Sequence, residues 1–296
     1  MSEVAKPQVL KKSQWQVDDI QIGYRQLEFN ALGSFSSQRE DEYVRLHFGL
    51  KGDYRFTYEQ LGKSFDLIGG HHNIMYSNGL NLIIENKSLK IDTFGIDFPK
   101  ERFIEIVDES DELLAPFIAN LHQGKSSILT DHWGTLNNNI QCAIDDILFS
   151  PYDGQMQKVF LLAKSLELIV HCLDNYRRVS IQEPIFIKNE RDREKVMAAR
   201  DYLMEHIHAP PTISEVSQVV GLNEFKLKRG FKEVFQTTMF DYLSERRLNL
   251  AKQLLLDTQK GVAQIAFELG YSSPQHFSNQ FRKKFGVAPN SVRKNP

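Results

Sequence analysis

The first hundred residues alternate short runs of aromatic and β-branched side chains with glycine and asparagine breaks. Such runs are typical of β-strands, and the breaks are typical of turns. The predicted strands cover residues 20–29, 43–50, 53–58, 73–77, 80–85 and 89–96. The pattern predicts an antiparallel sheet or small barrel that ends near Phe98 and Pro99.

Apolar positions three and four residues apart replace this pattern after Pro99, and they predict helices over residues 100–107, 111–121, 136–148 and 154–176. The last helix carries a stripe that favours a seam with a second copy of the chain. The stripe consists of Val159, Leu162, Leu166, Ile169 and Leu173. The other sides of this helix are also apolar, so burial within its own domain remains an alternative to dimerisation.

The last hundred residues contain one short pattern twice, at residues 216–221 and 265–270. Each copy places a small residue, Ser217 or Ala266, where two helices can cross closely, and ends in a glycine that suits the left-handed end of a helix. A second helix follows each copy and carries apolar residues four apart, which predicts one buried stripe per helix. These stripes are Leu227, Phe231 and Phe235 in the first copy and Phe277, Phe281 and Phe285 in the second.

The opposite faces of the two second helices carry donors and acceptors that suit base edges and phosphates. They are Lys226, Lys228, Arg229 and Lys232 in the first copy, and Gln275, His276, Ser278, Asn279, Arg282, Lys283 and Lys284 in the second. Ser273 as N-cap and Pro274 as first helical residue mark the start of the second helix, and Asn223 marks the first. A helical hairpin with a solvated basic face is the alternative for one copy alone, but two copies in register predict two helix-turn-helix units that bind DNA.

The residue types of this repeat resemble the signature of the AraC/XylS transcription regulators over about residues 190–294. The matching positions are Arg247, Leu248, Ala251, Ile265, Ala266, Leu269, Gly270, Tyr271, Phe277, Phe281 and residues 285–289. The resemblance implies seven helices, in which a long central helix over about residues 239–256 joins the two units. It also implies that both recognition helices enter successive major-groove segments about 34 Å apart.

The resemblance assigns DNA contacts by motif position. It implies base reading by Phe225, Lys228 and Arg229 in the first unit and by Gln275, His276, Ser278 and Asn279 in the second, with Lys226, Lys232, Pro274, Arg282 and Lys283 completing the DNA-binding set. Residues 226–235 and 240–243 resemble regulators of siderophore uptake in particular.

The charge distribution separates the two ends of the chain. Residues 189–296 hold 17 Lys and Arg against 12 Asp and Glu, whereas the first 188 residues hold 19 against 26. The basic end attracts phosphate, and the acidic end gives no reason to expect a second nucleic-acid site. We therefore expect an α+β protein with an effector-sensing and dimerisation domain over residues 1–176, a linker over 177–188 and a DNA-binding domain over 189–296. By resemblance, the first domain is a cupin-like barrel followed by helices.

Composition bounds the cellular context. Cys142 and Cys172 are the only cysteines, and both lie in apolar helical patterns typical of reduced, packed thiols. The N-terminus lacks an apolar signal core, and no run of eighteen apolar residues occurs. These features lead us to expect a cytoplasmic protein.

The sequence offers little that is typical of an enzyme or a metal site. His47, His71 and His72 are the best candidates for metal ligands, but neighbouring strand residues point to opposite faces, so His71 and His72 cannot both face inward in a regular strand. HExxH, CxxC, phosphate-binding glycine loops and Gly-x-Ser-x-Gly are absent from the sequence. We expect no metal, no cofactor and no catalytic residues.

The polar residues among the predicted strands suggest where a small-molecule effector binds. Arg45, His47, Arg55 and His71 lie among strand residues and suit an anionic effector, such as a ferric chelate or a sugar acid. The aromatic residues of the same strands suit an apolar pocket, although interior packing is the commoner explanation for such residues.

The sequence thus predicts an effector-controlled transcription regulator, with activation the commoner output in the family. Its expected partners are promoter DNA, a small molecule, RNA polymerase and a second copy of the chain. A nonspecific architectural DNA-binding protein and a DNA-binding fusion with a small-molecule enzyme domain are the alternatives.

Overall fold

The computed structural model describes residues 7–181 and 185–292 and falls into two compact units. The first unit contains Met1–Ile140 and Lys158–Gln182, and the second contains Gln141–Gln157 and Glu183–Pro296. Residues 182–184 of the predicted linker, together with the chain ends, lie outside the described residues.

An antiparallel sheet forms the first unit. Its strands are β1 (Gln8–Val17), β2 (Ile20–Glu28), β3 (Gly33–Lys51), β4 (Tyr54–Tyr58), β5 (Lys63–Leu67), β6 (His71–Asn86), β7 (Lys90–Phe98), β8 (Ser127–Ile128) and β9 (Gly134–Thr135). They are arranged in the order β1-β2-β7-β3-β6-β4-β5, and β8 and β9 both pair with β6. The predicted antiparallel region is confirmed.

The strand predictions were incomplete at the sheet edges. Strands β1 and β5 lacked the apolar alternation of a half-buried strand because most of their side chains are exposed. The two strands predicted over residues 73–77 and 80–85 are one continuous strand, β6, which β3 pairs along its full length.

Helices pack on one face of this sheet. They are α1 (Lys100–Ile106), α2 (Ala115–His122) and most of α4 (Gly154–Ile181). Phe98 at the end of β7 contacts Phe103 of α1, which contacts Phe117 of α2. The Tyr176 hydroxyl of α4 donates to the backbone carbonyl of His72 at 2.9 Å, so α4 is anchored to β6.

Helices α5 (Glu190–Glu205), α6 (Ile213–Val220), α7 (Glu224–Phe235), α8 (Met239–Asp257), α9 (Val262–Glu268), α10 (Pro274–Phe285) and α11 (Pro289–Val292) form most of the second unit. Pairs α6-α7 and α9-α10 are the two helix-turn-helix units, and α8 is the long helix between them. The seven helices implied by the resemblance are therefore present among the described residues. None of the described helices combines the length and apolar character needed to cross a membrane.

Glycines end the first helix of each unit as the sequence predicts. Gly221 has φ 66° and Gly270 has φ 74°, both in the left-handed region. A Cβ at Gly270 would lie 2.3 Å from the backbone oxygen of His208, so this turn excludes larger residues for a second reason. Helix α6 also begins with a capping box between Thr212 and Glu215, which the sequence analysis did not identify.

A buried carboxylate joins α8 to residues of α3 (Asn138–Leu148) within the second unit. Asp145 is 5% exposed and forms an ion pair with Arg246. Asn249 donates to the same carboxylate at 2.7 Å and Gln141 at 3.1 Å. The predicted domain bounds placed residues 141–157 in the N-terminal domain, and these contacts with α8 explain why they group with the second unit instead.

We predict that Arg246→Ala lowers the free energy of unfolding of the second unit by about 3 kcal/mol, because Asp145 then stays buried without its cation. Differential scanning calorimetry of the full chain measures the change. Lys228→Ala is the control, since the pair between Lys228 and Glu224 is exposed and contributes less than about 0.5 kcal/mol. Equal shifts for the two variants would contradict the prediction.

Candidate functional site

Packing of one face of α7 and α10 determines which side chains each helix presents to solvent. Leu227, Phe231 and Phe235 of α7 are fully buried, as are Phe277 and Phe281 of α10, while Phe285 is half-buried. Because a helix repeats every 3.6 residues, burial of this stripe directs the polar residues between its members outward.

Helix α7 presents an aromatic and basic outer face. Phe225 is 63% exposed, and Lys228, Arg229 and Lys232 are also exposed. Lys226 is half-buried, and its Nζ lies 2.6 Å from Oδ2 of Asp192 in α5. Lys226 is therefore turned towards α5, whereas the other four candidate DNA-binding residues of α7 face solvent.

Helix α10 presents a more varied outer face. Gln275, His276, Asn279, Arg282 and Lys283 are exposed, and Pro274 and Ser278 are half-buried. The Ser273 hydroxyl accepts a hydrogen bond from the backbone N–H of His276 at 3.2 Å, which confirms the predicted cap. The first turn contains no acidic residue, so the partial positive charge of the helix N-terminus is left for an anionic partner such as a phosphate.

A cavity of about 410 Å³ opens in the first unit, on the sheet face opposite α1 and α2. This volume lies in the range of small-molecule sites. Both polar and apolar side chains line the cavity. The polar lining includes Gln14, Gln21, Arg25, Ser37, Arg45, His47, Thr93 and Asp97, and the apolar lining includes Leu27, Phe35, Phe56, Met75, Leu82, Ile84 and Ile91.

Two paired glycines form part of the cavity wall. Gly23 of β2 and Gly95 of β7 are register partners, and both line the cavity. A Cβ at Gly23 would meet no atom within 4 Å, and the atoms nearest to one at Gly95 would be Nε of Arg45 and the backbone oxygen of Leu46, both at 3.5 Å. The absence of two side chains at neighbouring positions therefore creates volume in the cavity rather than relieving a steric clash.

Arg45 of β3 and Asp97 of β7 are register partners, and both line the cavity. The guanidinium forms a bidentate pair with the carboxylate, with Nε to Oδ1 at 2.6 Å and the second contact at 2.8 Å. Arg55, which the sequence analysis grouped with Arg45, is exposed and pairs with Asp66 on neighbouring strand β5, and it does not line the cavity. The structure therefore separates the two arginines.

His47 and His71 are joined through Tyr54. The Tyr54 hydroxyl lies 2.9 Å from Nε2 of His47 and 2.8 Å from Nε2 of His71, and Nδ1 of His71 lies 2.6 Å from the backbone oxygen of Ile68. A carbonyl only accepts, so in neutral His71 the Nδ1 donates to it, and Nε2 accepts from Tyr54. His47 then donates to the Tyr54 oxygen. Burial, with His71 and Arg45 nearby, holds the pKa of His47 well below its usual value, so this ring is neutral at neutral pH.

The two adjacent histidines point to opposite sides of β6, as strand geometry requires. His71 contacts Tyr54, whereas Nε2 of His72 lies 3.1 Å from the Asn175 side-chain oxygen. Among the described residues, no group of three or more His, Cys, Asp or Glu side chains is arranged to hold a metal ion. Both cysteines are free thiols, and burial raises the pKa of Cys142 to about 11.

The predicted dimerisation stripe on α4 is only partly exposed. Val159 is exposed, Leu162, Leu166 and Leu173 are half-buried, and Ile169 is buried at 3% exposure. Val170, which lies outside the predicted stripe, is 62% exposed. The exposed apolar face therefore runs through Val159, Ala163, Leu166 and Val170, and Ile169 belongs to the core.

Sequence reasoning missed most of the cavity. Gln21, Gly23 and Arg25 occupy alternate positions of β2, and Thr93, Gly95 and Asp97 occupy alternate positions of β7. Small or polar residues at every second position of otherwise apolar strands were the available signal. Which strands lie side by side, and hence which of these residues meet, follows only from the sheet order.

Comparison with known protein families matches both parts of the chain. Residues 17–184 match a family described as the regulatory protein PchR N-terminal domain, and residues 216–295 match a family described as a helix-turn-helix domain. The first match covers more than half of the chain, and the second contains α7 and α10.

Three individual relatives each match less than half of this chain. The regulatory protein SoxS of Escherichia coli is 38% identical over 92 residues, which are 31% of this chain and 86% of SoxS. The HTH-type transcriptional regulator ArgR of Pseudomonas aeruginosa is 34% identical over 133 residues, 44% of this chain and 40% of ArgR. The regulatory protein PchR of the same organism is 36% identical over 112 residues, 37% of each chain. The matches thus span less than half of ArgR and PchR.

The apolar stripes of α7 and α10 are buried as the sequence predicts, and the relatives bear the names of regulatory proteins. The chain belongs to the AraC/XylS family of DNA-binding transcription regulators, and its N-terminal part belongs to the PchR N-terminal domain family.

Proposed function

We propose that this regulator recognises specific promoter sequences and that a small molecule in the cavity of the first unit controls it. The observation that carries the proposal is the pair of outward faces on α7 and α10, which present amide, hydroxyl, imidazole and guanidinium groups on two packed helices. These groups hydrogen-bond base edges, and in the major groove base edges distinguish all four base pairs.

We divide the exposed candidates into base-reading and phosphate-binding residues. Arg229, Gln275 and Asn279 have side chains that form bidentate contacts with guanine or adenine, so we assign them to bases. Lys228 keeps the base-reading role that the resemblance implies. Lys232, Arg282 and Lys283 are assigned to phosphates, with Lys226 as a further phosphate contact once it leaves Asp192. The lysines of α7 alone would suit a nonspecific architectural protein, but the amide groups of α10 favour sequence-specific binding.

We assign the effector site to the cavity, whose lining contains both polar and apolar side chains. We infer an amphipathic effector that places a planar or apolar part against Phe35 and Phe56 and a polar part near Arg25 and Arg45. An anionic effector competes with Asp97 for Arg45, so Arg25 and Thr93 are needed as additional donors. The resemblance to siderophore-uptake regulators makes ferric chelates the first class to test.

Effector binding acts by shifting the population of homodimer arrangements. The effector favours one arrangement of the homodimer, and that arrangement positions the DNA-binding units on their sites and contacts RNA polymerase to activate transcription. The exposed apolar face of α4 supports dimerisation, because a second copy brings an identical face. Turnover of the bound molecule would instead favour a fused enzyme domain.

We predict that Arg229→Ala and Gln275→Ala each reduce discrimination between specific and unrelated duplexes by about 1 to 3 kcal/mol, because each removes a bidentate base contact. Fluorescence anisotropy at physiological salt, with duplexes bound by the protein in genome-wide mapping, measures this change.

Lys232→Ala is the matched control for these variants. It should weaken binding to all duplexes by a similar factor and reduce the salt dependence, since a phosphate contact carries no sequence information. If Arg229→Ala and Gln275→Ala also weaken binding uniformly, both residues contact phosphates and specific reading by them is excluded.

We predict that Gly23→Val abolishes effector binding while DNA binding persists. A Cβ at Gly23 would meet no atom within 4 Å and valine suits a strand, so we expect its side chain to occupy part of the cavity that Gly23 lines. Thermal shift and calorimetry with ferric catecholate, hydroxamate and carboxylate chelates identify the effector on the unmodified protein and then test the variant.

Polar residues of the same strands provide the controls for the effector site. Arg45→Ala and His47→Ala should weaken effector binding, whereas Arg55→Ala should not, since Arg55 lies outside the cavity. An effector response that survives alanine at Arg45, His47, Arg55 and His71 together would refute an anionic site among these residues.

We predict that Val159→Glu combined with Val170→Glu converts a dimer into monomers, because both charges fall on the exposed apolar face of α4. Sedimentation velocity measures the change, with Lys158→Glu as the control for added charge at a neighbouring exposed position. A monomeric unmodified protein, or a dimer that persists in the double variant, would show that α4 is not the interface.

A further inference from the structure

Residues 186–187, just before α5, are hydrogen-bonded to α7, the first recognition helix. The backbone N–H of Phe186 donates to Oε2 of Glu233 at 2.9 Å, and the N–H of Ile187 donates to Oε1 at 3.2 Å. Both oxygens of one carboxylate on α7 therefore hold two successive amides of this segment. Charge-assisted hydrogen bonds of this kind are stronger than neutral ones.

The side chain of Ile187 fills a gap in α7. Ile187 is buried, and a Cβ at Gly230 would lie 2.4 Å from its Cδ1 and 3.3 Å from Cγ2 of Val196 in α5. Glycine in a helix interior is less favourable than alanine, so the position has a packing reason to be glycine. The segment thus lies along α7 by both backbone and side-chain contacts.

The ring of Phe186 lies beside two exposed residues of α7, the recognition helix of the first helix-turn-helix unit. It meets the Phe225 ring at a centroid distance of 5.9 Å and an angle of 75°. The guanidinium carbon of Arg229 lies 5.9 Å from the Phe186 ring and 5.8 Å from the Phe225 ring. Phe225 lies one turn before Arg229 on α7, and Phe186 comes from the segment docked beside the helix. Both rings therefore contact the same guanidinium.

We propose that Phe186 is a positioning residue for Arg229 and that residues 186–187 are a functional part of the first DNA-reading unit. An exposed arginine loses rotamer freedom when it binds a base, and contact with two rings removes part of that freedom in advance. The proposal rests on the assignment of Arg229 to a base in the proposed function. It adds a residue outside the helix-turn-helix motif that influences which base pair is read.

The test uses the full chain and duplexes enriched from a random-sequence DNA pool by the unmodified protein. Each base pair of the enriched site is then changed in turn, and anisotropy titrations measure the dissociation constant for every duplex. We expect Phe186→Ala to weaken binding to the enriched site about two- to fivefold, the range for an exposed cation–π contact. Arg229→Ala identifies the base pair that Arg229 reads, because the variant no longer discriminates at that position. On duplexes in which this base pair has been changed, we expect Phe186→Ala to cause no such loss.

Two variants separate positioning from general destabilisation. Phe186→Tyr keeps the ring and should restore binding to the unmodified level. Ile185→Ala changes a neighbouring residue that is 70% exposed and should leave binding and discrimination unchanged. A purely structural role for Phe186 would instead weaken binding to every duplex equally, which would overturn the proposal.

The two hypotheses fail in different ways. If Arg229→Ala loses base discrimination and Phe186→Ala behaves like Ile185→Ala, the positioning role is wrong while base reading by Arg229 stands. If Arg229→Ala itself keeps full discrimination, both are wrong. Hydrogen exchange supplies a test without DNA, because Glu233→Ala should speed exchange of the Phe186 and Ile187 amides, and unchanged exchange would overturn the docking on which the proposal depends.

Discussion

Burial of one apolar stripe on each recognition helix is the constraint on which the DNA-binding unit depends. Leu227, Phe231 and Phe235 on α7, with Phe277 and Phe281 on α10, leave solvent entirely. A buried aromatic or leucine side chain contributes about 1.5 to 3 kcal/mol, which is far more than any exposed charge pair on these helices contributes. The rotation of each helix about its axis is therefore set by its core face, and the outward face follows from it.

The two units use that constraint with different outer faces. Helix α10 has a sharp start at Ser273 and Pro274, no acid in its first turn, and amides and a hydroxyl near its N-terminus. Helix α7 begins with Glu224, carries lysines and an exposed phenylalanine, and has a segment of the chain docked beside it. The first helix-turn-helix unit thus has residues outside the motif beside Arg229. Helix α10 packs against α8, α9 and α11, and its Lys284 contacts Cys142 of α3.

The cavity of the first unit follows from a different physical reason. Glycine at Gly23 and Gly95 weakens two strands locally, since glycine contributes neither packing nor conformational restriction there. Because these two residues are register partners, the two missing side chains add to one volume instead of leaving two separate gaps. Charged and polar residues line that volume in pairs, as Arg45 with Asp97 and His47 with Tyr54, which limits the desolvation cost of enclosing them.

The bounds of α8 followed from the resemblance to the AraC/XylS regulators. Local patterns in the sequence were sufficient for the α+β class, the glycine ends of α6 and α9 and the buried stripes of α7 and α10. Each of these depends on residues within one or two turns, where periodicity and capping act directly. The tertiary structure alone decided that Lys226 pairs with Asp192 and that Phe186 contacts Arg229. It also decided that Asp97 lines the cavity whereas Arg55 lies outside it. On α4, it decided that Ile169 is buried and Val170 is exposed. The pairs among these residues are 11 to 52 positions apart in the chain and meet only through strand order and helix docking. Ile169 and Val170 are adjacent, and only packing against other elements makes their exposures differ. A local sequence pattern contains neither kind of information.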